Sequence, residues 1–182
     1  MSTSNWAMDP THSELTFKVR HMMVSNVTGH FKTFNATVTT DGDDMTTAKV
    51  HLTADVESIS TNNDQRDGHL KTADFFDHEN HPQLTFDSTQ MEKVTEEEYK
   101  LHGNLTMRGV TKPVALHVEF GGIVTDPWGN TRTGFAVNGK VNRKEFGVSF
   151  SMVSEAGGIL LGEDITIHAN VEFVKQAVAQ PA

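Results

Sequence analysis

From Ala48 to Val56 every second residue is apolar: Ala48, Val50, Leu52, Ala54 and Val56 share one side, while Lys49, His51, Thr53 and Asp55 share the other. A period of two buries one set and wets the other, which specifies a half-buried β-strand and does not suit a helix. The same rhythm recurs along most of the chain. Leu15, Phe17 and Val19 alternate with Thr16, Lys18 and Arg20; Leu84 and Phe86 share a side, as do Tyr99, Leu101, Leu105 and Met107. Val114, Leu116, Val118 and Phe120 follow, then Thr133, Phe135, Val137, Gly139 and Val141, then Ile165, Ile167, Ala169, Val171 and Phe173. Gly139 occupies an inward place in its run, which predicts a bend or a close backbone approach.

Turn chemistry separates these runs. Asp41-Gly42-Asp43-Asp44 and Asp126-Pro127-Trp128-Gly129-Asn130 are turns, Glu96-Glu97-Glu98 is a solvated loop, and Arg108 to Lys112 reads as a hairpin loop of about five residues. The apolar parity slips between Phe31 and the set Phe34, Ala36 and Val38, so a bulge or strong bend is expected near Thr33. Met22 to Asn26 interrupts the alternation. Lys144 to Glu163, with Phe150 and the Gly157-Gly158-Ile159-Leu160-Leu161-Gly162 run, reads as a loop containing a short strand.

One stretch breaks the β pattern. Between Ser58 and Ser88, Asn62 and Gln65 have capping-box spacing, Asp64 and Asp67 complement a helix dipole, and Leu70 and Ala73 share a face. This predicts one short helix near residues 63–76, ending in Phe75 and Phe76. So small an apolar stripe does not stand alone, so the helix is expected to cover the open end of the β-structure. About eight strands, several near ten residues and so roughly 30 Å long, suit an antiparallel barrel. A sandwich has the same periodicity.

No Pro/Ser/Gly-rich linker divides the chain, so a single domain over residues 1–182 is expected, with 1–8 and 176–182 frayed. The 24 acidic against 15 basic residues leave a net charge of −9, which disfavours nonspecific binding to nucleic acid or to an anionic membrane. With no cysteine, disulfides, thiolate metal sites and cysteine nucleophiles are excluded. The first residues have neither a basic nor an apolar signal region, and no run is long enough to span a bilayer, so a cytoplasmic, non-integral protein is expected.

Several ordered motifs carry a family resemblance. They begin with Trp6-x-x-Asp9-Pro10-x-His12-Ser13, Phe17-x-Val19-x-His21, Gly29-x-Phe31-x-x-Phe34 and Ser58-Ile59-x-Thr61. They continue with Arg66-Asp67-x-His69-Leu70, Asp74-Phe75-Phe76-Asp77, Pro82-x-x-x-Phe86-x-Ser88, Gly103-x-Leu105-x-x-x-Gly109-Val110-Thr111-Lys112 and Arg143-x-x-Phe146-Gly147. The chain thereby resembles the YceI-like, lipocalin-like, polyisoprenoid-binding family over nearly its whole length. Glu145 stands where that family usually has Asp. The resemblance implies an all-β fold, an extended eight-stranded antiparallel lipocalin-like barrel. It also implies an interior that takes a long isoprenoid or fatty-acyl tail, and a homodimer.

Candidate tunnel-lining residues are Leu15, Phe17, Val19, Phe31, Phe34, Leu52, Val56, Phe75, Phe76, Leu84, Phe86, Leu101, Leu116, Phe135 and Phe173. A filled core acting through dimerisation would use the same positions. Arg66, His69 and Arg143, with Lys71 beside them, are candidates to meet a phosphate or quinone head, because their donors suit anionic oxygens. The alternative is that Arg66 pairs locally with Asp67, Asp74 or Asp77. No cofactor beyond a bound lipid is expected. His78-Glu79-x-His81 is the most compact donor group for the competing reading, a metal-dependent enzyme on a small apolar substrate. No HExxH or G-x-S-x-G occurs, so the chain is expected to be noncatalytic.

Overall fold

Among the residues described by the computed structural model, 2–22, 24–148 and 161–177, the alternation is realised as eleven strands. They are β1 (Thr3–Met8), β2 (Glu14–His21), β3 (Ser25–Phe31), β4 (Phe34–Asp41), β5 (Asp44–Asp55) and β6 (Ile59–Ser60). β7 (Gln83–Lys93), β8 (Glu98–Met107), β9 (Val110–Thr125), β10 (Thr131–Asn142) and β11 (Leu161–Lys175) complete the set. Every pairing is antiparallel. The order β1-β4-β5-β7-β8-β9-β10-β11 returns to β1 through Trp6 opposite Lys175 and Met8 opposite Phe173, so eight strands close a barrel. Closure leaves no edge along this ring, which is how an antiparallel sheet of this size satisfies its backbone.

β2, β3 and β6 continue β1, β4 and β5 past three bends at one level. At the first, Asp9 accepts the Thr11 N–H at the start of the 3₁₀ turn Pro10–His12. At the second and third, Lys32 N–H donates to the Ser58 carbonyl at 3.1 Å, and Asp55 N–H donates to the Thr33 carbonyl at 2.9 Å. The bend expected near Thr33 is therefore present. It lets Phe31 and the oppositely phased Ala36 and Val38 all be buried.

Three local expectations are corrected. Residues 1–8 are not simply frayed, because Thr3–Met8 pairs on both sides and closes the barrel. The β8–β9 connection is not a five-residue loop but the pair Arg108-Gly109, with both φ angles positive (54° and 74°) as a tight primed turn requires. The helix α1 (Asp64–Leu70) is shorter than 63–76, and its cap is Asn63, whose side chain accepts the Arg66 N–H at 3.0 Å. Asn62 lies at φ 62° and forms no capping box. Thr72 ends the helix by returning both its N–H and its hydroxyl to the His69 carbonyl, and turns then carry Phe75 and Phe76 into the core. Phe150 and the Gly157 to Leu160 part of the glycine-rich run lie outside the described residues.

An ionic cluster fixes the seam. Arg132 on β10 donates to Asp126 at 2.7 Å, Asp9 at 3.0 Å and Glu172 at 3.0 Å, joining a turn, the first bend and β11. Arg132 is the main cause holding the Asp126 carboxyl down to about 2 from 3.8. Asp9 is also lowered, first by its His12 hydrogen bond, and the same bond raises His12 above 6.5. Depressed carboxylates stabilise the fold above their unfolded value and lose that contribution as they protonate in the fold; a raised histidine does the reverse. Urea midpoints are thus expected to fall as pH drops from 3.8 towards about 2, and again as it rises above 6.5. Arg132→Gln should flatten the acid step and Asp9→Asn should remove the upper one. Unchanged profiles in both would show that the cluster is energetically idle.

Candidate ligand tunnel

The alternation sends long rows of apolar side chains inward, and the rows do not fill the barrel. One buried cluster around Trp6, Phe86, Phe135 and Phe173 occupies one end. Another around Phe31, Phe75, Phe76 and Phe146 occupies the helix end. Leu52, Leu105, Val114, Val137 and Val171 pack against both. Between and along them runs a cavity of about 150 Å³.

Glycines permit this packing where side chains cross. A Cβ on Gly29 would fall 2.4 Å from the Phe17 ring, on Gly103 2.4 Å from the Phe86 ring, and on Gly139 2.3 Å from Leu116. The close approach expected at Gly139 is thus present. Phe17 and Phe31 stand 5.7 Å apart and Phe31 and Phe76 6.2 Å, so an aromatic row leads from the bore towards the helix.

Among the described lining residues only Thr16 has a side-chain hydroxyl, amide or charge, and that hydroxyl donates to the His168 carbonyl at 3.2 Å. The bore therefore offers a ligand no free polar partner. Of the candidate lining residues, Leu15, Phe17, Phe31, Leu52, Phe76, Leu84, Phe86, Leu101, Leu116, Phe135 and Phe173 border this cavity. Val19 and Phe75 instead border a second cavity, while Val56 is packed in the core and Phe34 is half-buried, neither lining either space. The set also omitted Ile165, Ile167, Ala169 and Val171 on β11, although their inward parity was the available signal.

The second cavity, about 230 Å³, lies under α1 and shares Phe17, Phe76 and Ile165 with the bore. Arg66, His69 and Arg143 all border it, so one site brings the three together. Each is also engaged locally. Arg66 donates from Nε to the Thr61 hydroxyl at 2.7 Å and from Nη2 to the Thr61 carbonyl at 2.9 Å, rather than to a carboxylate. Asp67 accepts the Thr61 N–H and hydroxyl, completing the knot. His69 meets Asp74 at 2.9 Å, and Lys71 meets Glu57 at 3.2 Å.

Arg143 is buried and donates to the carbonyls of Val148, Gly162 and Leu161. Burial pushes its guanidinium pKa down, opposed by the Glu163 charge. Arg108 was not foreseen: its guanidinium reaches the Ala73 carbonyl at 2.7 Å and pins the segment after the helix.

The histidine loop does not assemble a centre. His78 lies 3.5 Å from Glu57, and His81 packs over Gly109. Among the described residues, the group whose ligand atoms do converge is Asp9, His12 and Glu172, and Arg132 already donates to both of its carboxylates.

The profile of the YceI-like domain matches residues 6–173. The chain belongs to the YceI-like family. A UPF0312 protein of Staphylococcus aureus is 39% identical over 171 residues, spanning 93% of this chain and 97% of that one. The YceI protein of Campylobacter jejuni superposes on this YceI-like chain with a TM-score of 0.75 at 33% identity, covering 85% of this chain and 88% of that one. A polyisoprenoid binding domain from Saccharophagus degradans, implicated in plant cell wall breakdown, shares the fold at a TM-score of 0.70 and 14% identity. It covers 94% of this chain and 98% of its own. This YceI-like barrel is therefore lipocalin-like in fold, as its sequence motifs implied.

Proposed function

We propose that the protein is a noncatalytic carrier or sequestering protein that encloses a long apolar lipid of the polyisoprenoid, quinone or fatty-acyl kind. The observation that carries this reading is the bore itself, walled by apolar side chains and vacant by about 150 Å³. A tail gains about 0.8 kcal/mol per buried methylene, or roughly fourfold in affinity, so it needs no polar contact in the bore. The head would sit in the second cavity, beside the Arg66 Nη1 that the Thr61 bonds leave over. Family membership supports lipid binding in general; the Saccharophagus domain, named for polyisoprenoid binding, shares the fold only.

The test is native mass spectrometry of protein purified without a metal column, followed by denaturing extraction. One lipid per chain is expected. Titration with fatty acids of increasing length should show affinity rising about fourfold per methylene until the bore is full. Protein that is empty as purified and takes up no acid of any length would overturn the reading in favour of a structural barrel. Sedimentation at graded concentration checks the homodimer that the family resemblance implies.

A further inference from the structure

The bore is closed at the end away from α1. Its wall stops at one level on strand after strand, at Val50 on β5, Leu101 on β8 and Val118 on β9. The next inward places on those strands are Ala48, Tyr99 and Phe120, and none of the three borders the cavity. Ala48 and Tyr99 are buried and Phe120 packs against their cluster, so this end is filled with side chains.

Four rings on adjacent strands lie across it. Phe173 on β11 meets Phe135 on β10 edge to face at 6.0 Å, Phe135 stacks on Phe120 of β9 at 5.6 Å, and Phe120 meets Tyr99 of β8 edge-on at 6.0 Å. Trp6 on β1, 2% exposed, completes the cluster. Of these five rings, only Phe135 and Phe173 border the bore. Polar groups behind them are engaged. The Trp6 indole N–H donates to the Thr40 hydroxyl at 3.1 Å, that hydroxyl donates to the Gly42 carbonyl at 2.6 Å, and the Thr133 hydroxyl donates to the Gly122 carbonyl at 2.8 Å. A lipid head pushed against the rings would be buried without a partner, which is unfavourable. The helix end differs. There the bore shares Phe17, Phe76 and Ile165 with the second cavity, whose wall includes the exposed His21, Arg66 and His69. A lipid that enters from this side keeps its head among polar groups and runs its tail towards the rings.

We propose that the bore is a blind tunnel entered from the helix end, and that Phe135 and Phe173 form its floor and set the longest tail it accepts. The inference rests on the carrier reading and adds length selection to it. Affinity climbs with each methylene that gains apolar wall and stops climbing where the tail meets the two rings. Further carbons stay outside the bore or overpack it.

Native mass spectrometry of the full chain in an equimolar mixture of saturated fatty acids of graded length reads the limit, as the longest acid that still binds more tightly than the next shorter one. Phe173→Ala should move that limit upward. An acid two methylenes past the limit of the unmodified chain is expected to bind the variant about fifteenfold more tightly than the limiting acid does, and to show no such gain on the unmodified chain. Phe135→Leu, a milder change in the same floor, should move the limit the same way by less; circular dichroism checks that both variants fold. A second measurement leaves the floor intact. In Trp128→Phe protein the remaining tryptophan is Trp6, beside the floor. Its fluorescence should be quenched by an acid brominated at the tail end and not by one brominated next to the carboxyl. An unmoved limit in both floor variants, or quenching by the carboxyl-end bromine instead of the tail-end one, would overturn the inference and leave the carrier reading standing. Binding of no acid of any length by the unmodified chain would sink both.

Discussion

An Ala169→Phe variant is expected to lose retention of long apolar chains while remaining a folded barrel. Ala169 on β11 faces the bore, opposite Leu15 on β2 and Val137 on β10. A phenyl ring there enters vacant space, so the overpacking cost stays at the lower end of about 1–3 kcal/mol, while the ring takes the room of several methylenes. Each methylene denied burial loses about 0.8 kcal/mol, so losing three or more lowers affinity by about sixtyfold or more. The neighbouring position supplies the control. Asn170 points outward, and Asn170→Phe puts the same ring on the outer face, where retention should not change. A lipid that stabilises the native chain against heat by mass action should not stabilise the Ala169→Phe protein. Equal thermal shifts in both would place the lipid elsewhere.

Arg143→Met is expected to cost on the order of 3 kcal/mol of stability, because several backbone acceptors lose one common donor. Arg143 is 1% exposed and begins the 3₁₀ turn Arg143–Phe146 after β10. Its Nη1 donates to the Val148 carbonyl and its Nε to the Gly162 carbonyl, each at 2.8 Å, tying β10 to the start of β11. Guanidinium stays charged at any accessible pH, so these carbonyls, with the nearby Glu163 charge, help offset its burial. Methionine fills much of the volume but orphans those oxygens. Arg143→Lys should rescue little, because one ammonium does not reproduce a planar fork. Urea unfolding at constant m-value reads the loss. A change below about 1 kcal/mol would mean that water or other donors satisfy the carbonyls.

What the sequence determined by itself was the barrel and the polarity of its wall. A period of two assigns each residue to one face, so Leu52, Phe86, Leu116, Phe135 and Phe173 are legible as inward from the sequence. The parity slip near Thr33 likewise marked a bend, because one residue of register reverses every side chain after it. Local turn competition was less legible. Asn62 and Asn63 both offer a cap, and only the path out of β6 decides that Asn63 takes it; Thr72 then stops α1 before Phe75 and Phe76.

The closure and the void belonged to the tertiary structure. That Thr3–Met8 meets both β4 and β11 depends on strands far apart in sequence, as does the convergence of Arg66, His69 and Arg143 around one cavity. Periodicity says which side chains point inward, but not whether they meet. That depends on barrel radius and on where Gly29, Gly103 and Gly139 let opposing side chains overlap, which is a matter of three-dimensional packing rather than of order along the chain.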